Sequence, residues 1–278
     1  MAIKDLVVHI DNSQACEKRL NAAVQLAQRH EAHLTGVYVM RSLADLMMYP
    51  IEPVGASARD MIQKPLLEAR DKARTMFDAV TDASGIASEW RESEGSVVGS
   101  LSTSAHYTDL LILGQHQPDD VADQSESVAD RMVMGCGRPC LVIPYIGAQD
   151  VIGKQVLVAW NAHREAVRAV NDALPILQGA DQVSVLAVDP PTGSSGEGAI
   201  PCADICHHLA RHGVKAEAVS KTAVDIDVGN FLLSHAADLN TDLIVMGAYG
   251  HSRVTEMILG GVTRSMLDQM TVPVLMSH

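Results

Sequence analysis

The fold is decided by the stretch Thr241-Asp242-Leu243-Ile244-Val245-Met246-Gly247, in which apolar side chains run unbroken from a polar pair to a glycine. A short apolar run of this kind is typical of a strand that is buried on both faces of a parallel sheet. The same pattern occurs as Thr108-Asp109-Leu110-Leu111-Ile112-Leu113-Gly114. The repeat predicts a duplicated domain, because each copy would contribute one such strand.

Two further pairs of segments support the duplication. Leu6–Asp11 parallels Val156–Asn161, and Arg138–Ile143 parallels Val272–Met276. The loops between the matched segments differ in length, as they do between copies of one domain. We also expect the terminal strand, which contains Val272–Met276, to pair edge to edge between the halves or between chains.

Within each half, short apolar runs alternate with segments that repeat their apolar residues at helical spacing. Such alternation predicts parallel strands joined by right-handed crossovers. We therefore predict an α/β fold of two tandem doubly wound domains, residues 1–146 and 152–278, each with a mainly parallel five-stranded sheet. The first half carries a longer insertion at about Arg41–Pro65. The predicted strands of the second half are Gln155–Trp160, Val183–Val188, Lys215–Ser220, Leu243–Met246 and Pro273–Met276.

Composition limits the classes of function. Apolar residues make up 47% of the 278 residues, so the chain can build a core. The formal net charge is −13, of which the residues up to Ile146 carry −7 and the remainder −6. An evenly acidic surface repels phosphate backbones, so we expect no nucleic-acid partner. The sequence has no apolar run long enough for a membrane span and no signal-peptide pattern at its start, so we expect a cytoplasmic protein with five free thiols and no membrane partner.

The densest glycine pattern follows the fourth predicted strand of the second half. Gly247-Ala248-Tyr249-Gly250 is followed, after nine residues, by Gly260-Gly261-Val262-Thr263. Ligands of open parallel sheets bind beyond the carboxyl ends of the strands. Glycines there let main-chain N–H groups approach an anion, and the start of a helix near Val262 favours phosphate. A purely structural turn is an equal alternative from the pattern alone.

This pattern, with the Val-Thr that follows it and the final Pro-Val-Leu strand, resembles the ATP-binding sequence of universal stress proteins. The resemblance covers nearly the whole chain as two copies and is strongest over Thr241–Met276. It implies a fold like that of the adenine nucleotide alpha hydrolases, and bound ATP with Mg²⁺ as a possible companion. It implies that Met246 and Tyr249 line the loop and that Ala159, Asn161 and Val188 meet the ribose and adenine. The residues implied to hold the phosphates and ribose are Gly247, Gly250, Gly260, Gly261, Val262 and Thr263.

Two positions of the second half depart from the family pattern. Gly261 stands where Ser or Thr is usual, and Asn161 stands where the first strand usually ends in Asp. The lost hydroxyl donor would cost roughly 1.5–3 kcal/mol, or about tenfold or more in affinity. The first half departs further, because the acidic run Asp119–Asp123 follows Gly114 and no second glycine follows at the right spacing. We predict that the first half binds no ATP.

The sequence identifies no catalytic residue and no metal ligand set. Cys202 and Cys206 with His207 are a weaker candidate for a metal site, and Cys136 with Cys140 for a regulatory disulfide. The expected function is a regulatory stress-response protein that binds an adenine nucleotide in its second half, with an unknown protein partner. The alternatives are a nucleotide-free scaffold and a weak ATP hydrolase. We expect a monomer or a homodimer.

Overall fold

The computed structural model describes residues 2–40, 56–124, 127–147, 151–190, 201–223, 226–250 and 261–278. Its ten strands are β1 (Asp5–Ile10), β2 (His33–Met40), β3 (Ser88–Glu94), β4 (Leu110–Gly114), β5 (Cys140–Ile143), β6 (Gln155–Ala159), β7 (Gln182–Val188), β8 (Ala216–Lys221), β9 (Leu243–Gly247) and β10 (Val274–Ser277). The helices in these ranges are α1 (Cys16–His30), α2 (Ala56–Ser84), α3 (Val97–Ala105), α4 (Val128–Gly135), α5 (Arg164–Leu177), α6 (Ala203–Arg211), α7 (Val228–Asp238) and α8 (Gly261–Gln269).

All ten strands form one sheet in the order β3-β2-β1-β4-β5-β10-β9-β6-β7-β8. Every neighbouring pair is parallel except β5 and β10, which are antiparallel and join the two halves. The predicted α/β class, the two five-stranded halves and the edge-to-edge pairing of the terminal strand are therefore confirmed. In that join, Val274 lies opposite Val142 and Met276 opposite Cys140.

The helices cover both faces of the sheet, which is why the central strands are apolar on both sides. One face buries α1, α2, α5 and α6 against one apolar cluster, and the other face buries α3, α4, α7 and α8 against a second cluster. Each cluster contains residues from both halves, so the core is continuous across the join. Leu6 and Val8 of β1 face the first cluster, whereas Val7 between them faces the second.

The two outer strands are built differently from the central ones. Most residues of β3 and β8 are exposed or half-buried, and their side chains are largely polar or charged. Glu89 and Arg91 on β3, with Glu217 and Lys221 on β8, charge these edges. Charged edges oppose the addition of another strand. The sheet therefore extends by pairing β5 with β10 in the middle, while charged strands terminate it on both sides.

The predicted insertion at Arg41–Pro65 overlaps the long helix α2, which begins at Ala56 and contains Pro65. Residues 251–260 of the glycine-rich segment lie outside the described residues. Among the described helices, none has both the length and the apolar character needed to cross a bilayer.

Candidate functional site

The glycine-rich segment of the second half begins at the carboxyl end of β9, beside the start of α5. Gly247 is the last residue of β9, and a Cβ atom added there would lie 2.5 Å from the main-chain nitrogen of Ala166 and 2.5 Å from the carbonyl carbon of Glu165. No side chain fits at that distance. Gly247 is therefore required by the close approach of helix and strand, independently of any ligand.

Tyr249 fixes the course of the chain after β9. Its φ of 56° is in the left-handed region, and its N–H donates to the Thr263 hydroxyl oxygen at 3.3 Å. Its phenol is buried and donates to Asp130 Oδ1 of the first half at 2.8 Å. Burial, together with the hydrogen bond to Asp130, raises the pKa of Tyr249 well above its usual range. The tyrosine predicted to line the loop therefore also ties the loop to α4.

Gly250 and Gly261 have the open surroundings that an anion cradle needs. Within the part of the chain that the structure describes, an added Cβ at Gly250 would come no closer than 3.9 Å to another heavy atom, and one at Gly261 would meet nothing within 4 Å. Gly261 begins α8 and Val262 is half-buried there. Thr263 is buried, and its hydroxyl oxygen accepts the Tyr249 N–H. Gly260 lies outside the described residues.

The structure adds a carboxylate that the sequence analysis missed. Glu165, in the first turn of α5, is 3% exposed, and neither of its oxygens has a hydrogen-bond partner among the described residues. Its Oε2 is the atom that lies 3.9 Å from an added Cβ at Gly250. Arg164 Nε is 3.6 Å from Oε1 but belongs to a largely exposed side chain. Glu165 therefore places a buried, poorly compensated negative charge beside the glycine-rich segment.

The remaining predicted residues lie at the ends of three neighbouring strands. Ala159 and Val188 are half-buried at the carboxyl ends of β6 and β7, and Asn161 is exposed just beyond β6. Asn161 Oδ1 accepts the N–H of His163, the residue before α5, at 3.1 Å. Met246 is placed differently from the prediction, because its side chain is 4% exposed and packs in the apolar core. Only its main chain is available to line a loop.

In the first half, protein side chains fill the corresponding place. The repeat aligns Asp11 with Asn161, since β1 pairs Leu6 with Leu110 as β6 pairs Val156 with Leu243. Asp11 forms a fully buried ion pair with Arg19 at 2.9 Å. Burial opposes the charged form of Asp11 most strongly, but the Arg19 guanidinium, His9 and the hydrogen bonds from Ser13 together hold the pKa of the carboxyl below its usual range.

Arg19 also blocks the end of β4. Its Nε donates to the His9 carbonyl at 2.7 Å, and a Cβ added at Gly114 would lie 2.1 Å from its Nη1. Gly114 is thus a glycine because an arginine occupies the space beside it. Ala169 stands as far beyond Asn161 as Arg19 does beyond Asp11, so the matching helix position of the second half carries no side chain long enough to reach the strand ends.

The chain after β4 closes over this ion pair. Asp120 Oδ2 accepts the N–H of Gln14 at 2.7 Å, which fastens this loop to the segment before α1. Asp123 is buried and lies 2.7 Å from His116 Nδ1, and it also accepts the N–H of Gln117 at 2.7 Å. Two carboxylates of the acidic run predicted to repel phosphate, those of Asp120 and Asp123, therefore make internal hydrogen bonds.

His9 is the least compensated group of this cluster. Its ring is completely buried in β1, and neither ring nitrogen has a hydrogen-bond partner in the described part of the chain. Burial lowers the pKa of His9 to about 4, against the opposing effect of Asp11. The corresponding residue of the second half is Ala159, so only the first half buries a titratable ring here.

The weaker metal candidate finds no support. Within the described ranges no group of three or more His, Cys, Asp or Glu side chains is arranged to hold a metal ion. Cys202 is buried at the residue before α6, whereas Cys206 is half-buried and His207 exposed.

Comparison with known proteins bears on family and fold. The model of the Universal stress protein family matches the chain twice, over residues 2–144 and 153–278. The universal stress protein Slr1230 of Synechocystis sp. (strain ATCC 27184 / PCC 6803 / Kazusa) is 26% identical over 178 residues, which cover 60% of this chain and 57% of that protein. The chain thus spans little more than half the length of this relative.

Two solved structures share the fold over nearly the whole chain. A universal stress protein from Archaeoglobus fulgidus DSM 4304 superposes with a TM-score of 0.73 at 16% identity, covering 98% of this chain and 97% of that one. The functionally unknown protein PA1789 from Pseudomonas aeruginosa PAO1 superposes with a TM-score of 0.57 at 15% identity, covering 99% and 92%. Two domains within one chain are therefore a shared architecture.

Proposed function

The chain belongs to the universal stress protein family, with one copy of the family domain in each half, and on this premise we propose that its second half binds an adenine nucleotide of the ATP type. In this proposal the first half binds none and instead supports the fold. The bound and free states would differ at the surface near Gly250, where a protein partner could read them.

The observation that carries this proposal is the open surroundings of Gly250, where no heavy atom of the described residues lies closer than 3.9 Å to an added Cβ. In the first half, the Arg19 guanidinium takes the space beside Gly114, the counterpart of Gly247. Main-chain N–H groups can donate hydrogen bonds to an anion only where side chains leave them accessible. Gly261 at the start of α8 adds a second open position with the favourable end of a helix dipole.

Glu165 bears on the form in which the nucleotide binds. A buried carboxylate beside the glycine-rich segment disfavours free triphosphate through charge repulsion. A Mg²⁺ ion carried with the phosphates would offset that repulsion, and carboxylate oxygen is a ligand that Mg²⁺ accepts. We therefore favour magnesium-bound ATP over the free nucleotide. Since Glu165 is an acid near the proposed phosphates, slow hydrolysis is to be measured directly as phosphate release.

The test begins with the purified full-length chain. Mass spectrometry of small molecules released on denaturation, and calorimetric titration with ATP in excess Mg²⁺, are expected to show one nucleotide per chain. Gly250→Val is expected to abolish binding with an unchanged circular dichroism spectrum, because the added side chain meets open space at a position without positive φ. Gly135→Val is the matched control in the first half, where an added Cβ also meets nothing within 4 Å.

Two outcomes contradict the proposal. Equal binding by Gly250→Val and the parent would show that the loop is not the site. Absence of nucleotide from the parent at millimolar ATP would favour the alternative, a scaffold that acts through protein contacts alone.

A further inference from the structure

Two cysteines face each other where the halves of the sheet meet. Cys136 ends α4, where its N–H donates to the Met132 carbonyl at 2.9 Å, and Cys140 begins β5. Gly137, at φ 70°, reverses the chain between them. The Sγ atoms of Cys136 and Cys140 are 3.6 Å apart. At this separation the two sulfur atoms are in van der Waals contact. A small movement of one of them would bring the pair to the roughly 2.05 Å of a disulfide bond.

The two thiols differ in exposure and in pKa, and both differences direct oxidation to Cys136. Cys136 is partly exposed, whereas Cys140 is completely buried. The hydrogen bond from Cys140 lowers the pKa of Cys136 to about 7 against the effect of burial, and the Arg168 charge contributes in the same direction. The thiolate is the reactive form of cysteine, so the exposed sulfur is also the nucleophilic one.

The other thiols of the chain lack this combination. Cys16 is buried in the first half, and burial raises its pKa to about 11. Cys202 is also buried. Cys206 is partly exposed, but burial raises its pKa as well. Chemical reactivity is therefore expected to concentrate on Cys136.

The surroundings hold the pair in place from the second half. Arg168 of α5 donates to the Gly137 carbonyl at 2.6 Å and to the main-chain oxygen of His278 at 2.7 Å. Cys140 lies opposite Met276 in the antiparallel join. Because Cys140 is fixed in the sheet and Cys136 ends a helix, closing the gap would move Cys136 and the end of α4.

From this geometry we propose that Cys136 and Cys140 form a reversible disulfide when the protein meets a peroxide. The Cys136 thiolate attacks one oxygen of hydrogen peroxide, so that an S–O bond forms, the O–O bond breaks and hydroxide leaves to become water. The Cys140 sulfur then displaces the oxygen from Cys136, and that second hydroxide takes the Cys140 proton. Two thiols and one peroxide give one disulfide and two molecules of water. A dithiol reductant reverses the step, and none of it requires bound nucleotide.

The test oxidises the full-length chain with hydrogen peroxide at pH 7, blocks remaining thiols by alkylation and maps them by mass spectrometry. Trypsin does not cleave between Arg138 and Pro139, so a single peptide, residues 132–154, carries both cysteines. We expect that peptide to lose two hydrogen atoms and to escape alkylation until dithiothreitol is added. Cys16, Cys202 and Cys206 are expected to remain alkylatable at the same peroxide dose.

Variants separate a disulfide from separate oxidation of each thiol. Cys140→Ala is expected to leave Cys136 as a sulfenic acid that dimedone traps, and Cys136→Ser to leave Cys140 reduced. Cys206→Ser is the control and should oxidise as the parent does. Oxidation of Cys206 before Cys136 in the parent, or conversion of Cys136 to sulfinic acid with Cys140 still free, overturns the proposal. The measurement on the parent stands even if a variant fails to fold.

Discussion

The carboxyl ends of the two half-sheets are built from the same strands and used in opposite ways. In the first half, Arg19 reaches from α1 across the strand ends, neutralises Asp11 and occupies the space beside Gly114. In the second half, α5 lies directly against Gly247, the counterpart of Gly114, whereas an added Cβ at Gly250 comes no closer than 3.9 Å to any heavy atom of the described residues. The glycine that ends the fourth strand is therefore required by internal packing in both halves, against a side chain in the first and against helix main chain in the second. The halves differ three residues further on, where the second half has Gly250 and the first has Gln117.

The largest test of this contrast removes the plug of the first half. Arg19→Ala leaves the fully buried Asp11 carboxylate without its partner, and we expect the free energy of unfolding to fall by about 3–5 kcal/mol. Urea denaturation at pH 7 measures the loss. Arg74→Ala, which breaks an exposed pair with Asp78, should change stability by no more than about 0.5 kcal/mol.

A companion variant shows whether charge is the cause. Asp11→Asn combined with Arg19→Met removes both charges of the buried pair, and it should recover part of the stability that Arg19→Ala loses. If Arg19→Ala is as stable as the control variant, the Asp11–Arg19 pair does not support the first half, and the contrast between the halves loses its structural basis.

The second test uses the buried ring of His9, whose position in the second half is occupied by Ala159. The pKa of His9 is about 4 in the folded protein and about 6.5 when unfolded, so the unfolded state binds more protons between these values. Stability is therefore present above pH 6.5 and falls as the pH falls towards 4. We expect the parent to lose about 2 kcal/mol between pH 7 and pH 5 through this group.

His9→Leu isolates that loss, because every other titrating group stays. Unfolding free energies of parent and variant, measured by denaturant at pH 7 and pH 5, should differ in their pH dependence by this amount. Parallel pH profiles would show that His9 titrates normally and that the cluster is more open than its burial indicates.

The fold was largely predictable from the sequence, because it depends on local patterns that repeat. The unbroken apolar runs identified the buried strands, and the duplication implied that the two edge strands β5 and β10 could meet. The predicted strand bounds differ from the observed ones by one residue at most places, as for Gln155–Trp160 against β6. Residues 251–260 lie outside the described chain, so that part of the predicted loop remains a prediction.

The site was less predictable, because its character depends on contacts between distant segments. Arg19 and Glu165 both look like ordinary helix residues in the sequence, and only the structure shows one filling the strand ends and the other buried beside Gly250. A residue-by-residue alignment of the halves would have singled out both residues. Glu165 aligns with Ala15 of the first half, and Arg19 aligns with Ala169 of the second half. The sequence also did not show that alternation along β9 directs the side chain of Met246 into the core, so the prediction that Met246 lines the loop now concerns its main chain.

The third test asks what Glu165 contributes to the second half that Ala15 cannot contribute to the first. If magnesium offsets its charge, Glu165→Gln should bring ATP affinities with Mg²⁺ and with EDTA closer together. We expect their ratio to fall by about tenfold, equivalent to about 1.4 kcal/mol. Calorimetric titration under both conditions measures the ratio.

Glu17→Gln is the matched control, an exposed acid in the first turn of α1. It should leave both affinities unchanged. If the ratio of the two ATP affinities is unchanged in Glu165→Gln, the carboxylate does not interact electrostatically with the bound nucleotide, even if ATP binds normally.

The smallest expected change in stability concerns the hydrogen bonds between the halves that are made by the segments following β4 and β9. Gln115 of the first half donates to the carbonyl oxygens of Leu267 and Asp268, and Tyr249 of the second half donates to Asp130. Tyr249→Phe removes one hydrogen bond but leaves Asp130 half-exposed to water, so we expect a loss of only about 0.5–1.5 kcal/mol.

The location of that loss is more informative than its size. Tyr38→Phe removes a comparable hydroxyl whose partner, Asn12, lies in the same half. Hydrogen exchange should therefore quicken in α4 for Tyr249→Phe and stay unchanged in α4 for Tyr38→Phe, although both variants lose similar global stability. Unaltered exchange in α4 for both would mean that the second half's loop moves independently of the first half. The first half would then support the sheet alone, without any hold on the glycine-rich segment.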